Sequence, residues 1–219
     1  MGLVRRDSPG GLSSAVTYFL GARRMRLGMA VLAALAALSL TLGTLQLPSL
    51  QPVLGDVYVP LLASALIAVV TGIAAGTLLD SPAPVLERTA ARDLRPARAT
   101  VVAGVTAYGL VLLEVGAAVH PAQGALLREP AHFLAGLGLT LLCLRRMPPP
   151  LAWCVVLAYA LASLLAGGAL PAWSGVLLFD ATGAWPRLLA CAAIWTVGAF
   201  AYIRTPPRPV GTDEQPWWH

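Results

Sequence analysis

Long apolar runs recur along the chain, and they constrain its fold more than any other feature. A helix needs about 20 apolar residues to cross a hydrocarbon core about 30 Å thick. Six segments approach or exceed this length, at residues 27–47, 57–79, 99–119, 124–144, 151–170 and 185–203. The fourth is continuously apolar only over residues 131–144, so it must start near Gly124 to span. Because backbone N–H and C=O groups inside lipid must pair within the segment, we expect all six to be helices.

The composition points the same way. Of the 219 residues, 58% are apolar and 11% are charged, whereas a soluble domain is about 45–50% apolar and about 25% charged. These values exclude an ordinary cytosolic enzyme, a disordered regulator and a disulfide-stapled secreted module. The three cysteines lie singly inside apolar runs, which is typical of buried packing residues. The prediction is therefore an all-α, polytopic membrane protein.

The arginines predict an orientation. All 15 basic residues are Arg, and they flank the apolar segments rather than forming a basic domain, which argues against a nucleic-acid partner. If the N-terminus is cytoplasmic and there are six spans, thirteen arginines face the cytoplasm, and only Arg128 and Arg187 face outward. The positive-inside rule favours this arrangement. We therefore expect a multi-pass protein of a bacterial plasma membrane with both termini cytoplasmic.

Two cytoplasmic elements are predicted outside the lipid. Residues 1–26 form the N-terminal region, in which Leu12 to Arg26 has the apolar spacing of a helix lying in the interface. A plain positively charged flank is the alternative. Residues 204–219 form a cytoplasmic tail in which Pro206, Pro207 and Pro209 lie close together.

The cytoplasmic loop between the second and third segments contains a stretch that can form a short helix. Pro84 can open it and Pro96 must end it, so about ten residues, 84–94, can be helical. One interpretation is a docking element for a soluble partner, and the other is a solvated hairpin that carries topology signals. Its candidate docking residues are Val85, Leu86, Glu87, Arg88, Thr89 and Arg92.

A predicted outer segment precedes the last span. Residues 171–186 contain a short apolar core between two tryptophans, which suits a re-entrant segment anchored at the headgroups. Its marker residues are Trp173, Phe179, Asp180 and Trp185. An ordinary hydrophobic surface loop is the alternative.

Glu114 is the one charge deep in an apolar run. A carboxylate at membrane depth is costly and often marks a functional site. Three interpretations stay open: a bundle-facing polar contact, a substrate path that also includes Tyr108 or a proton relay, and an interhelical pair with Arg128 or Arg187. His120, Glu129 and His132 fall near the outer end, and we expect the histidines to be interfacial because their spacing matches no metal-ligand pattern.

The sequence lacks the short motifs of three common kinds of site: nucleotide-binding, metalloprotease and serine-hydrolase. It contains no GxxxxGK[ST], HExxH or GxSxG pattern. We therefore expect no catalytic residue, bound cofactor or metal in this chain. The glycines Gly72 and Gly76 form a GxxxG pattern, a weak indicator of close helix approach.

Taken in order, these elements resemble the membrane subunit of ABC-2-type transporters, in its small actinobacterial form. Leu12 to Arg26 corresponds to that family's connecting helix, Pro84 to Leu94 to its coupling helix, and Trp173 to Trp185 to its extracellular re-entrant segment. The stretch from Leu86 to Arg92 resembles the cytoplasmic loop of small actinobacterial permease-like proteins. The resemblance is one of architecture over nearly the whole chain.

The resemblance implies a permease subunit of an ATP-driven exporter. Such a subunit pairs with a second permease copy, identical or different, and with separately encoded cytoplasmic ABC ATPases that bind ATP and Mg²⁺. Its substrate would be amphiphilic, such as a peptide, a lipid-like compound or an antibiotic. The alternatives are a non-transporting scaffold or assembly subunit of a larger complex and, less favoured, an intramembrane enzyme.

Overall fold

The computed structural model describes residues 25–43, 45–47, 61–80, 94–119, 125–166 and 184–204. Six helices make up nearly all of these described residues. Each helix coincides with one of the six apolar segments, so the prediction of an all-α fold is confirmed. A two-residue antiparallel ladder is the sole β structure among the described residues. The helices are α1 Met25–Leu42, α2 Ala63–Leu78, α3 Arg95–Val119, α4 Ala125–Cys143, α5 Pro149–Ala166 and α6 Ala184–Arg204, and the strands are β1 Gln46–Leu47 and β2 Leu61–Leu62.

Three of these helices are long and apolar enough to cross a membrane. They are α1, α3 and the Trp185–Arg204 part of α6. The apolar parts of the other three are shorter, at Ala63–Leu78, Glu129–Cys143 and Pro149–Ser163. Length and composition therefore identify three candidate spans among the described residues.

The ladder corrects the predicted boundaries of the first two segments. The first was expected to be helical to Leu47, but α1 ends at Leu42, and Gln46 and Leu47 pair with Leu62 and Leu61. Leu47 precedes Pro48, which disfavours the helical region for its backbone. The second was expected to start at residue 57, whereas the helix begins at Ala63. Apolar composition does not by itself distinguish a strand from a helix, which is why both boundaries were wrong.

Helix α4 occupies the centre of the bundle. All residues from 131 to 138 are buried, so protein surrounds the helix on every side there. Phe133, Leu137 and Leu141 are fully buried and form much of the core. Helices α2 and α6 make the most extensive contacts with α4. The element that looked too short to span is thus the one most enclosed by its neighbours.

Glycines bring α2 and α6 against the backbone of α4. A Cβ atom on Gly72 would collide with the Phe133 carbonyl oxygen, and one on Gly138 would lie 2.6 Å from Cα of Trp195. Gly198 in turn faces the backbone of Gly138. Only residues without a side chain permit such close approach of two helices. The three helices α2, α4 and α6 therefore form a tightly packed unit.

Interhelical contacts fix the helix directions. Gly28 near the start of α1 lies against Leu78 at the end of α2, so these two helices are antiparallel. The hydroxyl of Tyr202, near the end of α6, donates a hydrogen bond of 2.5 Å to the Leu79 carbonyl. Arg98, near the start of α3, lies 6.0 Å from the Tyr202 ring centroid.

Helix α4 ends, and helix α5 begins, at the same end of the bundle. Gly136 faces Val69 and Thr140 faces Gly76, so α4 runs parallel to α2. The five residues 144–148 separate α4 from α5, so α5 begins where α4 ends. Helices α2, α4 and α6 consequently end at one end of the bundle, and α1, α3 and α5 begin there.

Candidate functional site

The structure places the two predicted substrate-path residues on α3 but does not bring them together. Glu114 and Tyr108 are both half-buried. They are six positions apart, which separates them by about 9 Å along the axis and about 120° around it. The Tyr108 hydroxyl lies 3.5 Å from the Met29 carbonyl oxygen of α1. Tyr108 therefore contacts α1 while Glu114 lies on a different face of α3.

Most of the predicted docking and re-entrant residues lie outside the described part of the chain. This applies to Trp173, Phe179 and Asp180 of the outer segment and to residues 84–93 of the 84–94 stretch, with Val85, Leu86, Glu87, Arg88, Thr89 and Arg92. Trp185 is described. It lies in the first turn of α6 and is 65% exposed. Its exposure places an amphipathic ring on the outer surface of the bundle.

Two ionisable residues lie inside the bundle on α4, where the sequence had placed an interfacial histidine. His132 is fully buried and Glu129 is 5% exposed. The interfacial depth expected for His132 stays a prediction, since burial does not give a position along the membrane normal, but the structure adds that protein encloses this side chain. The hydropathy pattern could not show this, because it locates a residue along a span but does not show whether that residue faces lipid or protein. The i, i+3 spacing of the pair on a helix was the available signal.

Register along the α4–α6 contact places Glu129 level with Arg187. The two helices are parallel, and Gly138 faces Trp195, an offset of 57 residues. Glu129 lies about two and a half turns before Gly138, and the same offset relates it to the first turn of α6, next to the half-buried Arg187. Buried ionisable groups are stable in a low-dielectric interior only with polar or charged partners. This level of the α4–α6 contact is thus the polar part of an otherwise apolar interface.

Buried hydroxyl groups do not add to this polar region. Thr71 donates to the Ile67 carbonyl at 2.7 Å, and Thr140 donates to the Gly136 carbonyl at 2.7 Å. Each of these bonds joins a residue to the preceding turn of its own helix. The Thr106 hydroxyl also accepts a bond from a second helix, because Nε1 of Trp195 donates to it at 3.2 Å. Within the described ranges, no group of three or more His, Cys, Asp or Glu side chains could hold a metal ion.

Arginines gather at the end of the bundle where α2, α4 and α6 finish. We call this the arginine end, and its described members are Arg26, Arg95, Arg98, Arg145, Arg146 and Arg204. Five of them are exposed, and Arg98 is buried against the ring of Tyr202. Asp80 is the one carboxylate that the described residues contribute at this end. The described carboxylates nearer the opposite end are Glu114 and Glu129.

Comparisons of the chain with protein-family models, with curated proteins and with solved structures each return no match.

Proposed function

We propose that the chain is the membrane-spanning permease subunit of an ATP-driven exporter of the ABC-2 type. The observation that carries the proposal is the alternation of helix direction together with the arginine end. Helices α2, α4 and α6 run one way and α1 and α3 run the other, which is the arrangement that six consecutive crossings require. The arginine end then faces the cytoplasm by the positive-inside rule.

Six crossings are compatible with the shorter helices because of where those helices lie. Helix α2, with 16 residues, is about 24 Å long, which is less than the hydrocarbon thickness of about 30 Å. Most of its surface is buried, as is that of the central helix α4. Irregular backbone at membrane depth is tolerated where protein covers it. The ladder between β1 and β2 pairs some of the backbone groups next to α2.

The order of the elements supports the finer part of the proposal. The 84–94 stretch follows α2 on the cytoplasmic side and is the docking element for a separately encoded ABC ATPase. Two such permease subunits, identical or different, surround the path of an amphiphilic substrate. ATP and Mg²⁺ bind in the partner ATPase, and closure of the ATPases rocks the helices through residues 84–94.

Co-purification from the native host tests this proposal. The tagged chain is isolated in mild detergent, its partners are identified, and vanadate-sensitive ATP hydrolysis is measured. We expect a P-loop ATPase to co-purify and Leu86→Pro to abolish coupled ATP hydrolysis, because proline disrupts a helix. Leu86→Ala is the matched control, since it shortens the side chain but keeps the helix.

Three results would contradict the proposal. Membrane partners without ATPase activity would favour a scaffold subunit. Isolation of the chain without any P-loop protein would remove the basis for ATP-driven transport. Normal coupling in a correctly inserted Leu86→Pro variant would exclude the 84–94 stretch as the docking element.

A further inference from the structure

We propose that the arginine end binds the headgroups of anionic phospholipids, and that Arg204 together with the exposed face of α6 forms the main lipid site. The inference rests on the proposed orientation of the bundle in the membrane. It adds to that proposal a class of ligand, the anionic phospholipids, and a binding site for it on the exposed face of α6.

The exposed face of α6 is a continuous apolar stripe. Its members recur every three or four positions and are Trp185, Leu189, Ala193, Val197 and Phe200, and Arg204 follows four positions later at its end. The three apolar side chains Leu189, Val197 and Phe200 are each more than half exposed. The stripe extends over 19 residue steps, or about 28 Å, close to the thickness of the hydrocarbon core.

The residues at the two ends of the stripe are those that favour the membrane–water interface. Trp185 lies at one end, where an amphipathic ring sits at headgroup depth, and Arg204 lies at the other. An acyl chain lying along Val197 and Phe200 would therefore carry its headgroup to the level of Arg204. A helix face exposed to water has no reason to match the hydrocarbon thickness in length or to end in interface-preferring residues.

Arg204 is positioned to receive a phosphate group. Its guanidinium carbon lies 4.6 Å from the centroid of the Phe200 ring, within the range of a cation–π interaction. This contact holds the planar guanidinium at the top of the stripe, above the lipid-facing ring. A guanidinium presents a fork of N–H donors that matches phosphate oxygens in a bidentate manner.

Charge at this end favours an anionic headgroup over a zwitterionic one. Six arginines and one carboxylate, Asp80, are described there, whereas the opposite end has Arg187 with Glu114 and Glu129 among the residues with described side chains. Each basic residue near the surface of an anionic leaflet adds attraction, and the effect decays within a Debye length. Buried Arg98 contributes to this field although the Tyr202 ring covers it.

Phospholipid fits the site better than a free anion or an acidic protein. Free inorganic phosphate has no acyl chain, so the apolar stripe next to Arg204 would add nothing to its binding free energy. An acidic protein would have to dock on guanidinium groups that lie directly above lipid-facing side chains. A phospholipid satisfies the charged end and the apolar stripe at once.

Native mass spectrometry of the purified chain tests the inference. The protein in detergent is titrated with phosphatidylglycerol and with phosphatidylcholine of the same acyl chains. We expect tighter binding of phosphatidylglycerol, weakened by salt and not displaced by an equal concentration of inorganic phosphate. Arg204→Gln should lower the affinity for phosphatidylglycerol about fivefold and that for phosphatidylcholine less, because the choline cation offsets the charge of the shared phosphate group. Arg187→Gln, at the opposite end, is the control and should retain the preference.

The outcomes separate this inference from the proposed orientation. Equal affinity for the two lipids, or an unchanged preference in Arg204→Gln, would overturn the lipid site. Displacement by inorganic phosphate would identify a free-anion site instead. Reconstitution of the same preparations into vesicles of each lipid tests spanning separately. A protein that inserts in both vesicles but shows no preference refutes the lipid site alone, and one that inserts in neither refutes the orientation on which the inference rests.

Discussion

Replacing Gly138 by alanine tests how closely α4 and α6 approach. The added Cβ atom would lie 2.6 Å from Cα and 2.7 Å from the backbone nitrogen of Trp195. Both atoms belong to the backbone of α6, so rotation of a side chain cannot relieve the collision. The two helices must move apart locally.

The magnitude follows from this geometry. Carbon atoms pack best at about 3.5–4.0 Å, so the helices must separate by about 1 Å, and a gap of that size forfeits about a quarter to a half of each dispersion contact. Overpacking of this kind costs about 1–3 kcal/mol of unfolding free energy. Alanine also favours a helix over glycine by about 1 kcal/mol, which partly offsets the cost.

A second glycine isolates the packing effect. A Cβ on Gly104 of α3 meets nothing within 4 Å, so Gly104→Ala changes helix propensity alone. We expect Gly104→Ala to be neutral or stabilising, and Gly138→Ala to be about 1–3 kcal/mol less stable than that control. The unfolding free energies can be measured by titration with sodium dodecyl sulfate in mixed micelles, followed by circular dichroism. Equal unfolding free energies for the two variants would refute the close α4–α6 approach.

Two further predictions concern the ends of the bundle. Tyr202→Phe removes the hydrogen bond to the Leu79 carbonyl and should lower the unfolding free energy by about 0.5–1.5 kcal/mol in the same titration; an unchanged value would show that this bond does not stabilise the α2–α6 contact. In a cysteine-free background, Trp185→Cys should react with an impermeant maleimide added to intact cells, whereas Arg145→Cys should react only after permeabilisation; the reverse pattern would invert the proposed orientation.

The sequence predicts the number and the approximate positions of the helices but not their ends. Apolar runs with few charges locate helices well, because a long run of this kind has few other stable arrangements in lipid. The predicted ends are wrong at Gln46–Leu47 and Leu61–Leu62, which lie inside the predicted spans but pair as strands. The geometry of local turns and of strand pairing determines those boundaries, and a hydropathy pattern contains no information on that geometry.

The sequence also does not predict which face of each helix packs against its neighbours. Gly72 and Gly76 were a weak signal, yet both pack directly on α4. Gly104, in contrast, faces open space, although it is the same residue type in another apolar helix. What separates the two cases is the partner helix, and partners are determined by the whole bundle rather than by a local pattern.

The more polar helix is the more buried one in this bundle, which explains why α4 was the hardest segment to recognise. It carries Glu129, Pro130 and His132, and yet it lies at the centre. Helix α5 is continuously apolar, and its side chains Trp153 and Tyr159 are exposed on the surface. A lipid-facing helix must be apolar because lipid offers no hydrogen-bond partner, whereas an enclosed helix can keep polar groups that its neighbours engage. A low hydropathy score in one segment of a polytopic chain is therefore as compatible with the innermost helix as with a loop, and the directions of its neighbours decide between them.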